Sequence, residues 1–138
     1  TLLKHGAYNC LTMHRHRVVS EIESLIEDID YDELFLFCAG VYTQIARIVL
    51  GTLGHRPVGI LDNSRSIAGE TIGNLTISTP DMLLSRQDAN LAGIFVIVCN
   101  PRANTFQIIR DQLVELGLKE RQVAHLSFSH HFLVPRST

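Results

Sequence analysis

The sequence predicts one α/β domain: a doubly wound, parallel, five-stranded sheet of order 3-2-1-4-5, with an extra helix at its amino end. Three observations predict it. Short, wholly apolar runs such as Leu34–Cys38 and Ile94–Cys99 have the pattern of parallel strands covered on both faces. Segments between the strands carry apolar residues at helical spacing, as in Val41, Ile45, Ile48, Val49 and Leu53. Strands and helices alternate through short connections, which implies right-handed crossovers and helices on both faces of the sheet.

Residues 1–13 show no clear period and read as an irregular amino-terminal arm, so the domain is assigned to residues 14–132. From His14 to Ile29, apolar residues at Val18, Ile22, Leu25, Ile26 and Ile29 mark one face of a helix. Arg15 and Arg17 sit near its start and Glu27 and Asp28 at its end, against the macrodipole by about 0.3–1 kcal/mol per exposed charge. Either packing overrides that weak effect, or the helix docks on another domain or a second copy. The acids between Glu21 and Glu33 make half of the chain's 14, a pattern read as solvated surface.

The first strand, Leu34–Cys38, runs into a helix from Val41 to Leu53, stopped by Gly54. Pro57–Leu61 is the second strand and ends at Asp62. Asn63–Gly73 reads as loop and Leu75–Ser78 as a brief third strand. Thr79-Pro80-Asp81 opens a short helix with proline at its first position. Ile94–Cys99 is the fourth strand. A helix from Asn104 to Leu116 follows, with Phe106, Ile109, Leu113 and Leu116 on one face and Gly117 closing it. Val123–Leu126 is the fifth strand.

A chain of 138 residues suits one domain, and 46% hydrophobic with 19% charged residues is ordinary for a globular protein. No apolar run approaches the roughly 20 residues a membrane span needs, and no signal-peptide pattern opens the chain. A net charge of −2 gives no general electrostatic reason to bind nucleic acid. Cys10, Cys38 and Cys99 form a sparse, odd set without CxxC spacing, which favours free thiols in a reducing, cytoplasmic setting. The chain begins at Thr1 without methionine, as a fragment or processed chain does. Leu133-Val134-Pro135-Arg136 matches a thrombin recognition sequence, so residues 133–138 are set apart as a tail of vector or native origin.

In a doubly wound sheet, ligands bind beyond the carboxyl ends of the strands where the strand order reverses. Here that is the loop Cys38-Ala39-Gly40-Val41-Tyr42-Thr43, flanked by Asp62 and Asn63 on one side and Asn100 and Pro101 on the other. Phosphate binding at such a loop needs a tight turn, close backbone approach and the free amides of a helix start. Gly40 can supply the approach. Cys38 and Thr43 stand where the first and third glycines of G-x-G-x-x-G would be, and Thr43 is awkward where a helix packs closely on a strand. Asp62, at the end of the second strand, is placed to accept ribose hydroxyls and would repel a 2′-phosphate, favouring NAD over NADP. The bland alternative is an ordinary α/β turn, with Asp62 capping the next loop.

The stretch from Phe37 to Ser78, above all Val58-Gly59-Ile60-Leu61-Asp62-Asn63 followed by Gly69 and Gly73, resembles Rossmann-like accessory domains of sugar-modifying enzymes. These include the C-terminal domain of sugar C-methyltransferases, modules attached to FkbM-type methyltransferases and the N-terminal domain of sugar O-acyltransferases. CoA-binding-type and redox-sensing repressor domains look similar. The resemblance covers roughly Leu34–Leu126 and implies the fold more than any activity. It implies a binding loop at Cys38–Thr43, an acid at Asp62 and a crevice lining at Cys99, Asn100, Pro101 and Arg102. Where acyltransferase-like members carry a basic residue after the loop, this chain has Tyr42 and Thr43, which puts acyl transfer in doubt. Nothing resembles the first motif of an S-adenosylmethionine site, so methyl transfer would belong to another domain of the parent.

Cys38 and Cys99 end strands expected to be neighbours, so they are either a reactive pair or buried small hydrophobes. His14-Arg15-His16 and His130-His131 lack metal-ligand spacing, and no metal is expected. No catalytic residue is assigned; Ser64, Ser66, Ser78 and Ser85 have no arguable base.

The expected function is a nucleotide- or nucleotide-sugar-binding module of a larger cytoplasmic sugar- or polysaccharide-modifying transferase, with nucleotide sugar or NAD as ligand. Tyr42 either stacks on the ligand or packs inward. The rival expectation is a degenerate domain kept for protein contacts or homodimerisation through helix 14–29. An NAD-dependent oxidoreductase is a third, for which no acid or base can be named.

Overall fold

The computed structural model describes residues 16–128, apart from residue 87. The described part of α1 covers residues 16–26. The chain continues through β1 (Glu33–Phe37), α2 (Val41–Thr52), β2 (Gly59–Leu61), β3 (Thr71–Ile72), β4 (Leu75–Ser78), α3 (Asp88–Leu91), β5 (Ile94–Cys99), α4 (Ala103–Glu115) and β6 (Val123–Leu126). Single-turn or slightly longer 3₁₀ segments lie at Arg65–Ile67, Pro80–Ser85 and Glu120–Gln122. The arm 1–13, the tail 133–138, Cys10 and the His130-His131 pair lie outside the described residues.

The strands form one sheet of order β3-β4-β2-β1-β5-β6. All neighbours pair in parallel except β3 and β4, which are antiparallel. Count and order therefore differ from the predicted five-stranded sheet of order 3-2-1-4-5, and the difference is β3. Ile72 pairs with Leu75 across a two-residue Gly73-Asn74 turn, with Gly73 at φ 62°. Glycine first in a two-residue connection is a hairpin signature, because its positive φ matches the twist of the flanking strands. The predicted loop 63–73 thus contains a 3₁₀ turn and an edge strand. Two ends also move: β2 begins at Gly59 rather than Pro57, and β1 stops at Phe37, one residue short of Cys38.

Alternation along the central strands builds two cores. On one face, Leu34 and Leu36 of β1 and Phe95, Ile97 and Cys99 of β5 pack with Ile45, Val49 and Leu50 of α2. On the other, Phe35, Phe37, Ile94, Val96 and Val98 meet Leu91 of α3 and Ile109 and Leu113 of α4. Fully burying each such side chain contributes about 1.5–3 kcal/mol, which explains why β1 and β5 carry almost no polar residue.

Helix α1 belongs to the first of these cores. Val18, Ile22 and Ile26 are buried there, while Arg17, Glu23, Glu27 and Asp28 face solvent. Packing overrides the adverse charge order, as a term of a few tenths of a kcal/mol should yield to burial. A partner docking on this helix would meet only its polar side. Glu21 Oε2 accepts both the amide and the hydroxyl of Ser127 at 2.9 Å, tying the chain after β6 back across α1.

The amino edge of the sheet is stapled shut. Arg86 grips the Glu33 carboxylate with both terminal nitrogens, and the Tyr31 hydroxyl pairs with His55 Nδ1. Two cavities open at the carboxyl edge. No helix among the described residues is long and apolar enough to cross a membrane.

Candidate functional site

The site begins where β1 ends. Cys38 has φ 82°, in the left-handed region that glycine enters freely and other residues enter at about 1–2 kcal/mol. Its surroundings hold it there. The Cys38 amide donates to Leu61 O at 2.9 Å, its carbonyl accepts the Thr43 hydroxyl, and its thiol is hydrogen-bonded by the Asn100 side chain. Cys38 thus holds a dihedral that glycine would adopt without strain. Gly40 is extended, and a Cβ built on it would meet nothing within 4 Å. Neither backbone conformation nor packing requires glycine there, and the space before α2 stays open. No side chain among the described residues caps α2.

Asp62 fills part of the role expected of a phosphate. Its Oδ2 accepts the Ala39 amide at 2.7 Å and its Oδ1 accepts the Ser64 amide at 2.8 Å. The carboxylate therefore clips the β1–α2 loop to the turn after β2, and only its remaining lone pairs face outward. Of the two predicted roles, the loop cap is the one these bonds realise; Asp62 also lines a cavity at this edge.

The rest of the predicted loop points into the protein. Tyr42 packs in the first core with its ring 4.6 Å from that of Phe128, so of the two expectations the inward one is realised. Thr43 is fully buried. Its hydroxyl donates to the Cys38 carbonyl and lies against the Cys99 thiol. The crowding expected of threonine at this position is resolved by those contacts. Val41 and Ala39 pack against the same core.

On the far side, Asn100 Oδ1 accepts the Arg102 amide at 2.9 Å and Asn100 O pairs with His125 Nε2 at 2.7 Å. The carbonyl accepts, so Nε2 carries the hydrogen. Pro101 lies in the turn into α4.

Two cavities open along this edge. The smaller, about 240 Å³, has Phe37 and Ile109 at its floor, Ile108 and Thr105 on the α4 side, and Cys38, Asp62 and Asn63 at its rim. The larger, about 400 Å³, lies between the turns after β2 and β4 and the end of α4. Asn63 lines both. It is joined to Gln112 by a reciprocal amide pair, Asn63 Nδ2 to Gln112 Oε1 at 3.0 Å and Gln112 Nε2 to Asn63 Oδ1 at 2.7 Å. This clasp spans the crevice between the β2 turn and α4.

The α4 contribution was missed from sequence. Ile108 lies off the buried stripe of that helix and is 67% exposed, an apolar residue without a core to serve. That mismatch was the available signal.

Neither cysteine is poised to react. Burial first, and then the Asp62 charge, push the Cys38 thiol up to about 11, against a smaller opposing effect of Asn100. Burial pushes Cys99 up as well. Both are free thiols at the expected edge, but protonated at neutral pH, which withholds the thiolate that exchange chemistry requires. Among the described residues no three His, Cys, Asp or Glu side chains converge as a metal-binding group. No protein-family model, curated protein or solved structure matches the chain.

Proposed function

We propose that the domain is a nucleotide-binding module, and that the crevice between Cys38, Asp62 and α4 receives the nucleoside part of a small ligand. The observation that carries this is the smaller cavity, a mostly apolar slot of about 240 Å³, sized for part of a ligand, with a carboxylate among its lining, on the sheet edge where such folds bind ligands. The exposed Ile108 side chain offers an apolar surface to a planar base, over a floor closed by Phe37 and Ile109. Asp62 retains lone pairs for a ribose hydroxyl, and the space beside Gly40 at the start of α2 is open to a phosphate. Nucleotide sugars and NAD remain the ligand classes of choice, the former because the sequence resembles accessory domains of sugar-modifying enzymes.

The test uses a thermal-shift and saturation-transfer NMR panel of NAD, UDP-glucose, GDP-mannose, CoA and S-adenosylmethionine. A binder at 100 times its dissociation constant adds about 2.7 kcal/mol of stability. Ile108→Arg is the discriminating variant. Its side chain is mostly solvent-facing, so the fold should stand while the slot is blocked. Binding that survives Ile108→Arg overturns the proposal.

A second reading is favoured by one observation. Asp62 already occupies the Ala39 amide and places its charge where a phosphate would come. A domain kept for protein contacts would tolerate this. Silence across the panel, with self-association by analytical ultracentrifugation, supports that reading instead.

A further inference from the structure

The larger cavity has no part in the nucleoside site, and its chemistry is different. Its volume of about 400 Å³ lies within the roughly 300–1,000 Å³ typical of small-molecule sites. Three separate segments supply its polar groups: Arg65 from the turn after β2, Thr79 and Asp81 from the turn after β4, and Gln112 and Glu115 from α4. Arg65 lies 3.5 Å from Asp81, and the Thr79 hydroxyl donates to the same carboxylate, so Asp81 is held in place from two sides. Leu116 and Pro80 add the apolar share of the wall.

The charge balance selects the ligand. The lining holds one guanidinium and two carboxylates, so its formal charge is negative and it is unsuited to a phosphate. Arg65 supplies donors, and Asp81 and Glu115 supply acceptors, beside the apolar Pro80 and Leu116. A group bearing several hydroxyls, each donating and accepting at once, satisfies such a lining without bringing charge of its own. Asn63 lines both cavities, so this one lies beside the nucleoside slot, across the Asn63–Gln112 pair.

We infer that the cavity bounded by Arg65, Asp81, Gln112 and Glu115 binds an uncharged polyhydroxylated group, a sugar unit, carried by the same ligand whose nucleoside enters beside Asp62. The inference rests on the nucleotide-binding reading above and deepens it.

Calorimetric titration of the whole chain with matched pairs tests it: UDP and UDP-glucose, GDP and GDP-mannose, ADP and ADP-glucose. In the pair that binds, the sugar-bearing member should bind at least tenfold more tightly than the bare diphosphate. Glu115→Ala and Asp81→Asn, at solvent-facing positions, should each bring that ratio down to within threefold. Equal affinity within the binding pair, or a ratio that stays tenfold in both variants, overturns the sugar site and leaves the nucleotide reading intact. Failure of all six compounds to bind overturns the sugar site, and silence with NAD as well overturns the nucleotide reading.

Discussion

The Asp62 carboxylate and the Ala39 amide, 2.7 Å apart, hold the loop after β1 against the turn after β2. An acid placed for a ligand is thereby also a structural clip. Asp62→Ala strips the acceptor from two backbone amides, those of Ala39 and Ser64. Hydrogen bonds to a charged group contribute about 1.5–3 kcal/mol each, partly offset here by water reaching the exposed turn. The expected loss is about 2–3 kcal/mol in urea-induced unfolding. Loss of binding in this variant alone therefore does not identify a ligand contact, which is why Ile108→Arg is the better probe.

At Cys38 the usual ranking of alanine over glycine should invert. With φ at 82°, a Cβ costs about 1–2 kcal/mol that glycine does not incur. Chain entropy returns part of this, since glycine loses more freedom on folding. Cys38→Gly is expected to be about 1 kcal/mol more stable than Cys38→Ala by chemical denaturation. Equal stabilities would mean the left-handed turn relaxes.

Stability should fall in alkali. The folded-state value of Cys38 is raised from its ordinary 9.0 to about 11, so the folded chain holds that proton more tightly than the unfolded chain. The contribution is constant below about pH 9 and is lost as pH climbs through 11, because there the unfolded state binds fewer protons. Cys99 acts in the same direction. Urea midpoints at pH 7.5 and 10.5 should differ in the native chain, and differ less in Cys38→Ala. For the same reason, mild oxidation at neutral pH should yield no Cys38–Cys99 crosslink by mass spectrometry.

Helix α1 should behave as core. Ile22 is completely buried, and Ile22→Ala is expected to cost about 2–5 kcal/mol, while Ile22→Asp should prevent folding. Glu23→Lys on the solvent side should change stability by no more than about 0.5 kcal/mol. Circular dichroism melts of the three variants decide it. A helix reserved for a partner would show the reverse order of sensitivity.

Much of the fold was legible because the strongest patterns are the ones packing enforces. IFVIVC is buried on both faces of the sheet and reads as nothing else, and the apolar stripe of α1 is the stripe that packs. β3 was missed because a two-residue strand has no periodicity to detect, although Gly73-Asn74 carried its turn. The site was legible only as positions. Gly40, Asp62 and Asn100 fall at the strand ends that the topology makes neighbours. Side-chain direction was not written in the spacing. That Tyr42 turns toward Phe128 depends on a chain segment 86 residues later closing over α2. That Asn63 finds Gln112 depends on how far α4 leans over the sheet.

The Asn63–Gln112 clasp has a consequence for solution behaviour. Carboxamides neither gain nor lose a proton in ordinary buffers, and they carry no charge for salt to screen. The mouth of the crevice should keep one width from mildly acidic to alkaline media and from dilute to concentrated electrolyte. An ionic-strength profile of ligand capture would then report on the charged neighbours and not on a gate that opens and shuts.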